Sequence, residues 1–163
     1  MKKLFIISFC LLLSLTLSAC GKKTATEKSM EKQIENSMGG NADVDLDDDS
    51  VKIKTDEGTM QVGAGTELPE DWPDDIYIAE GAITSASSHE NGIFNVSIES
   101  TKSVTELQEE YENKLEEEGW NTTMSFVIEN NVMLGAEKDD RSVSITIGED
   151  NGKTLIVIGT SKN

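Results

Sequence analysis

The sequence predicts an α+β fold: an antiparallel sheet with one packed helix, in the order β-β-α-β-β-β-β, preceded by a small β-meander. Three observations predict it. From residue 42 onward apolar side chains recur with a period of two, the spacing of a half-buried strand. One stretch, 103–119, breaks that rhythm with a helical stripe and its own start and stop signals. The strand-like runs are joined by short turns rich in Asn, Asp and Gly, which favour hairpins over crossovers.

The chain divides at 1–19, 20–41, 42–62, 63–75 and 76–163. Lys2 and Lys3 form a basic start, and residues 4–17 are an apolar run diluted only by Ser8, Ser14 and Thr16. Small Ser18 and Ala19 then precede Cys20, the three-part layout of a secretory signal peptide. The apolar run falls short of the ~20 residues a helix needs to cross a bilayer.

Leu17-Ser18-Ala19-Cys20 resembles the lipobox of bacterial lipoproteins. The resemblance implies cleavage between Ala19 and Cys20 and a diacylglyceryl group on the Cys20 sulfur, with palmitate a typical chain. It implies attachment to the membrane through lipid, on the face turned away from the cytoplasm. Two or three acyl chains hold firmly where one holds marginally, since each buried CH₂ contributes ~0.8 kcal/mol. Gly21, Lys22 and Lys23 come next, with no acid at the second mature position, which resembles lipoproteins that leave the inner membrane. The expected location is an outer membrane where the cell has one, and otherwise the cell membrane.

Charge and cysteine count exclude several functions. The formal net charge is -17, and loss of Lys2 and Lys3 with the first 19 residues takes it to -19. Such a chain repels nucleic acid, so no nucleic-acid partner is expected. Cys10 leaves with the leader and Cys20 carries lipid. The two cysteines of the chain are then spent, leaving no disulfide, thiol nucleophile or thiolate metal site.

Residues 21–41 read as a polar tether. Met30, Ile34 and Met38 at i, i+4, i+8 allow a short helix over 26–38, marginal when alone, ended by Gly39-Gly40. As a flexible chain this segment would hold the domain ~25 Å from the surface. In the meander Val44 and Leu46, Val51 and Ile53, and Met60 and Val62 alternate with polar residues around turns at 48–50 and 56–58. A sheet of that size is barely stable alone, so it is expected to dock on the main domain. The run Asp43, Asp45, Asp47, Asp48, Asp49 invites a calcium reading, but neither register supplies the required Gly and bidentate Glu. No metal site and no cofactor are assigned. In the connector, Pro69 and Pro73 impose an extended path, and Trp72 is expected to plug into the domain.

The main domain opens with paired strands around His89-Glu90-Asn91-Gly92. Ser103-Val104-Thr105-Glu106 is a capping box, and Val104, Leu107, Tyr111 and Leu115 form the apolar stripe of the helix. Glu106, Glu109, Glu110, Glu112, Glu116 and Glu117 occupy the rest, and Gly119 is the stop. Further strands are expected at 122–129, 132–138, 142–148 and 154–160. Phe126 with Ile128, Val143 with Ile145 and Ile147, and Leu155 with Val157 carry the period. Ile156 and Ile158 make the last strand apolar on both faces, so it is expected to be central or covered on both sides.

Leu68-Pro69-Glu70-Asp71-Trp72-Pro73, Asp75-Ile76-Tyr77, Gly81-Ala82, Tyr111 and Leu115-x-x-x-Gly119-Trp120 together resemble a group of small bacterial lipoproteins. The resemblance implies an envelope lipoprotein and supplies no activity. No catalytic residue is assigned. His89 is the one histidine and sits in a turn; the carboxylates lie on polar faces, not in the apolar pocket a raised pKa needs. The expectation is a non-catalytic module binding an envelope protein or ligand. The alternative is a small-ligand carrier or envelope enzyme with a pocket between helix and sheet near Tyr111 and Trp120.

Overall fold

The computed structural model describes residues 25–37, 42–47 and 49–162. Ala19 and Cys20, the end of the expected tether at Met38 and Asn41, and the turn residue Asp48 lie outside the described residues. The architecture is α+β: two helices and a nine-stranded antiparallel sheet among the described residues. In chain order the elements are α1 (Ala25–Ser37), β1 (Asp43–Asp47), β2 (Ser50–Thr55), β3 (Gly58–Gly63), β4 (Ala82–His89) and β5 (Ile93–Ser100). After these come α2 (Val104–Glu117), β6 (Asn121–Ile128), β7 (Asn131–Lys138), β8 (Arg141–Asp150) and β9 (Lys153–Lys162).

The strands lie side by side as β1-β2-β3-β4-β5-β9-β8-β7-β6. After β5 the chain cannot pair on with its next strand, because α2 carries it across the sheet to the far edge. Strands β6 to β9 then return to β5 as a meander. The 42–62 meander does not stack on the domain. It extends the sheet by pairing β3 with β4, from Gly58 opposite His89 to Val62 opposite Ser85. Strand pairing satisfies the backbone groups of the β4 edge and gives three short strands the neighbours they lack alone.

One face of the sheet is covered. Register places Ala86, Val96, Ile158, Ile145 and Leu134 side by side across five strands, all buried. Helix α2 lays Leu107, Tyr111 and Leu115 on this face. Its capping box is complete: the Ser103 hydroxyl accepts from the Glu106 N–H at 3.3 Å, and the Glu106 carboxylate accepts from the Ser103 N–H at 2.9 Å. At its other end Gly119 takes φ +77, which lets Trp120 donate back to the Leu115 carbonyl at 2.8 Å.

The segment between β3 and β4 crosses the same face and stays irregular through residue 81. Trp72 is buried edge-on against Phe94, with ring centroids 5.9 Å apart, and its indole N–H donates to the Ile76 carbonyl at 2.9 Å. Ile76 and Ala79 are buried beside it, so these residues belong to the crossing segment and not to a strand.

Pairing fixes the phase of two strands. Strand β9 is central, and one of its faces is covered. Ile156 and Ile158 are buried, while Val157 is exposed on the other side. Phe126 and Ile128 likewise keep the two-residue period yet face away from the core, 56 % and 64 % exposed. Pairing sets the phase: Phe126 lies opposite Met133, which is itself on the open face, while Ser125 lies opposite buried Leu134.

Candidate functional site

Three places on the molecule bring chemistry together. The first is the carboxylate Asp75, at the end of the expected connector. Arg141, which begins β8, donates Nη1 to Oδ1 at 2.8 Å and Nη2 to Oδ2 at 2.6 Å. Lys138, which ends β7, adds a bond to Oδ2 at 2.8 Å. Both cations lie over the Trp120 ring, Arg141 at 5.1 Å and Lys138 at 5.9 Å, and the Trp120 N–H donates to the Asp75 carbonyl at 2.9 Å. The Arg141 guanidinium holds the Asp75 carboxyl well below the usual carboxylate range, outweighing the opposing effect of burial. A carboxylate that stays ionised at neutral pH and is held by three charged hydrogen bonds is a clamp and a poor general base.

The second place is the N-terminal end of α2. A groove of about 530 Å³ runs between Lys102, Ser103 and Glu106 on one side and Val127, Glu149 and Lys153 on the other. Its two lysines are already matched: Lys102 bonds both Glu110 oxygens at 2.8 and 3.0 Å, and Lys153 pairs with Glu99. The Thr154 hydroxyl at its base donates to the Lys102 carbonyl at 2.7 Å.

The expected pocket near Tyr111 and Trp120 is instead packed core; both rings are buried. The Tyr111 hydroxyl accepts from the Ala79 N–H at 3.3 Å, and its ring meets Tyr77 edge-on at 5.5 Å. Burial raises the pKa of Tyr111 above the ordinary phenol value. Tyr77, which donates to Glu110 at 2.6 Å, is pushed up to about 12, first by burial and then by that carboxylate.

The third place is the open sheet face and its two edges. Val62, Ser85, Ser97, Val157, Thr146, Met133 and Phe126 form one row from β3 to β6. At the β1 edge, Glu31 accepts from the Leu46 N–H at 3.0 Å and Glu35 from the Val44 N–H at 3.5 Å. Four helical residues advance about 6 Å and two strand residues about 6.8 Å. Glutamates four apart on α1 therefore match alternate outward amides of β1. The i, i+4 spacing of Glu31 and Glu35 was the available signal for this contact, and the Met30, Ile34 stripe masked it.

Two aspartates of the acidic run lie opposite bases in the register. Asp43 lies opposite Lys54 and Asp45 opposite Lys52, a cross-strand arrangement of opposite charges. Among the described residues no group of three or more His, Cys, Asp or Glu is placed to hold a metal ion. His89 ends β4 at its hairpin and is exposed.

Residues 80–153 are similar to a family model described as START domain-like. The match spans less than half the chain, from just before β4 to the start of β9, and includes α2. No curated protein and no solved structure matches the chain. No helix among the described residues is long and apolar enough to cross a membrane.

Proposed function

We propose that this chain is a bacterial envelope lipoprotein, held to the cell membrane or outer membrane by lipid on Cys20, and that its folded part is a non-catalytic binding module. Leu17-Ser18-Ala19-Cys20 supports the anchor. The packing of α2 supports surface binding over an internal cavity: Leu107, Tyr111 and Leu115 fill the space between helix and sheet. The binding unit on this reading is the β-β-α-β-β-β-β part from β4 to β9, widened by the meander. Its partner is an envelope protein.

The test is metabolic labelling with an alkynyl palmitate, followed by crosslinking in living cells. Wild-type chain is expected to take the label, sediment with membranes and capture one dominant partner. The Cys20→Ala variant is expected to lose all three. Unlabelled wild type would remove the anchor; a labelled chain with no reproducible partner would remove the binding module.

A second reading, a small-ligand carrier, rests on the START domain-like match and the groove at the start of α2. A compound that raises the melting temperature through mass action and shifts the amide signals of Lys102 and Val127 would favour it.

A further inference from the structure

The two edges of the sheet differ. The β1 edge is closed by Glu31 and Glu35 of α1. Among the described residues β6 pairs only with β7. Natural edge strands are usually blunted by a charge, a proline or a covering element, yet residues 121–128 contain no charged residue and no proline. A bulge between Thr122 and Met124 interrupts the start of the pairing, after which Met124 to Ile128 run in regular register with β7. That stretch presents Phe126, Val127 and Ile128 to solvent in a chain with 31 acidic and 14 basic residues.

What would lie beside an added strand is set by the two faces of β6. On the open face stand Phe126, Ile128 and Met133, all exposed apolar. On the covered face stands the near flank of α2, fixed by the Ser125 hydroxyl donating to Glu112 at 3.2 Å. Glu109 and Glu116 are the helical neighbours of Glu112 at i−3 and i+4, on the more exposed side of that flank. Lys114, the base of the helix, points to the other side, where it pairs with Glu117 at 2.6 Å. A strand laid along β6 would turn alternate side chains to a row of carboxylates and to an apolar patch.

We propose that the β6 edge takes up an extended segment of the partner protein as a tenth strand, and that this segment alternates basic and apolar residues. The proposal deepens the binding-module reading and rests on it. Eight strand spacings, about 38 Å, separate β6 from the β1 edge that α1 closes.

The experiment uses the full chain, purified in detergent, and three blocked hexapeptides: alternating Lys and Val, alternating Glu and Val, and the Lys-Val peptide with alternate amides methylated. The Lys-Val peptide is expected to slow amide exchange at Met124 to Ile128. It should bind about tenfold tighter than either control, because the controls lose charge pairing or strand hydrogen bonds. Glu109→Gln with Glu116→Gln should weaken it about fivefold, and added salt should do the same. Equal binding of the Lys-Val and Glu-Val peptides, or protection confined to residues 101–106, would overturn the proposal. So would concentration-dependent dimerisation lost in Ser125→Lys, which would assign the edge to a second copy. A dominant partner crosslinked in cells through other surfaces would leave the binding module standing and remove the β6 edge from it.

Discussion

Arg141 grips Asp75 through two parallel bonds of 2.8 and 2.6 Å, joining the β7–β8 hairpin to a segment 66 residues earlier in the chain. The pair fastens the crossing segment where it passes Trp120. Asp75→Asn keeps the shape and removes the charge; it should cost about 2 kcal/mol in urea unfolding. The pH dependence comes from the lowered pKa of Asp75. The contribution is fully present above the unfolded-state value of about 3.9 and is lost as pH falls from there toward the lower folded value. Wild type should therefore lose stability below about pH 4, and Asp75→Asn should lose less over the same range.

Tyr77 makes the opposite prediction at alkaline pH. Its pKa is pushed up to about 12 by burial and by the Glu110 carboxylate. A raised phenol pKa adds stability below the unfolded value of about 10, and that stability declines as pH rises through the folded value. Ultraviolet titration should show both tyrosines, Tyr77 and the buried Tyr111, ionising late. Glu110→Gln should bring Tyr77 earlier, because the carboxylate is part of the cause.

The α1 glutamates should protect the β1 edge. Glu31→Gln with Glu35→Gln weakens two bonds from backbone donors to charged acceptors. Hydrogen exchange at Val44 and Leu46 should quicken about fivefold, at roughly 1 kcal/mol, with the β8 and β9 amides unchanged.

The two faces should answer substitution differently. Leu107→Ala, at a fully buried contact of α2, should cost about 3 kcal/mol as transfer energy and cavity combine. Ile128→Thr, on the open face, should change stability by less than about 0.5 kcal/mol. A matched loss at both positions in urea unfolding would mean the open face is covered.

Ser103→Ala removes the hydroxyl that caps α2 and should cost about 1 kcal/mol. The Glu106 carboxylate, held below its usual pKa first by the Ser103 hydroxyl, should titrate closer to an ordinary glutamate in the variant.

Much of the local structure was legible in the sequence because its causes are local. Alternation of apolar and polar residues marks a strand wherever one face is buried. Ser103 and Glu106 carry a helix start within four residues, and Gly119 a stop, since only a residue that tolerates positive φ allows that turn. The α+β class comes from these signals, as does the burial of Trp72 in the crossing segment.

The tertiary structure alone decided the rest, because it depends on residues far apart in the chain. The period of β6 is visible in Phe126 and Ile128, but its phase is set by the partner strand: Met133 and Leu134 take opposite faces, and β6 matches them. Central β9 has one dry face because Ile156 and Ile158 join the core cluster while Val157 faces the open side. The sequence denies the aspartates of β1 a calcium loop, but only register sets Lys54 opposite Asp43 and Lys52 opposite Asp45. Periodicity in a sequence states that two faces differ. Which one is buried, and which edge stays open, is settled only when the strands find their neighbours.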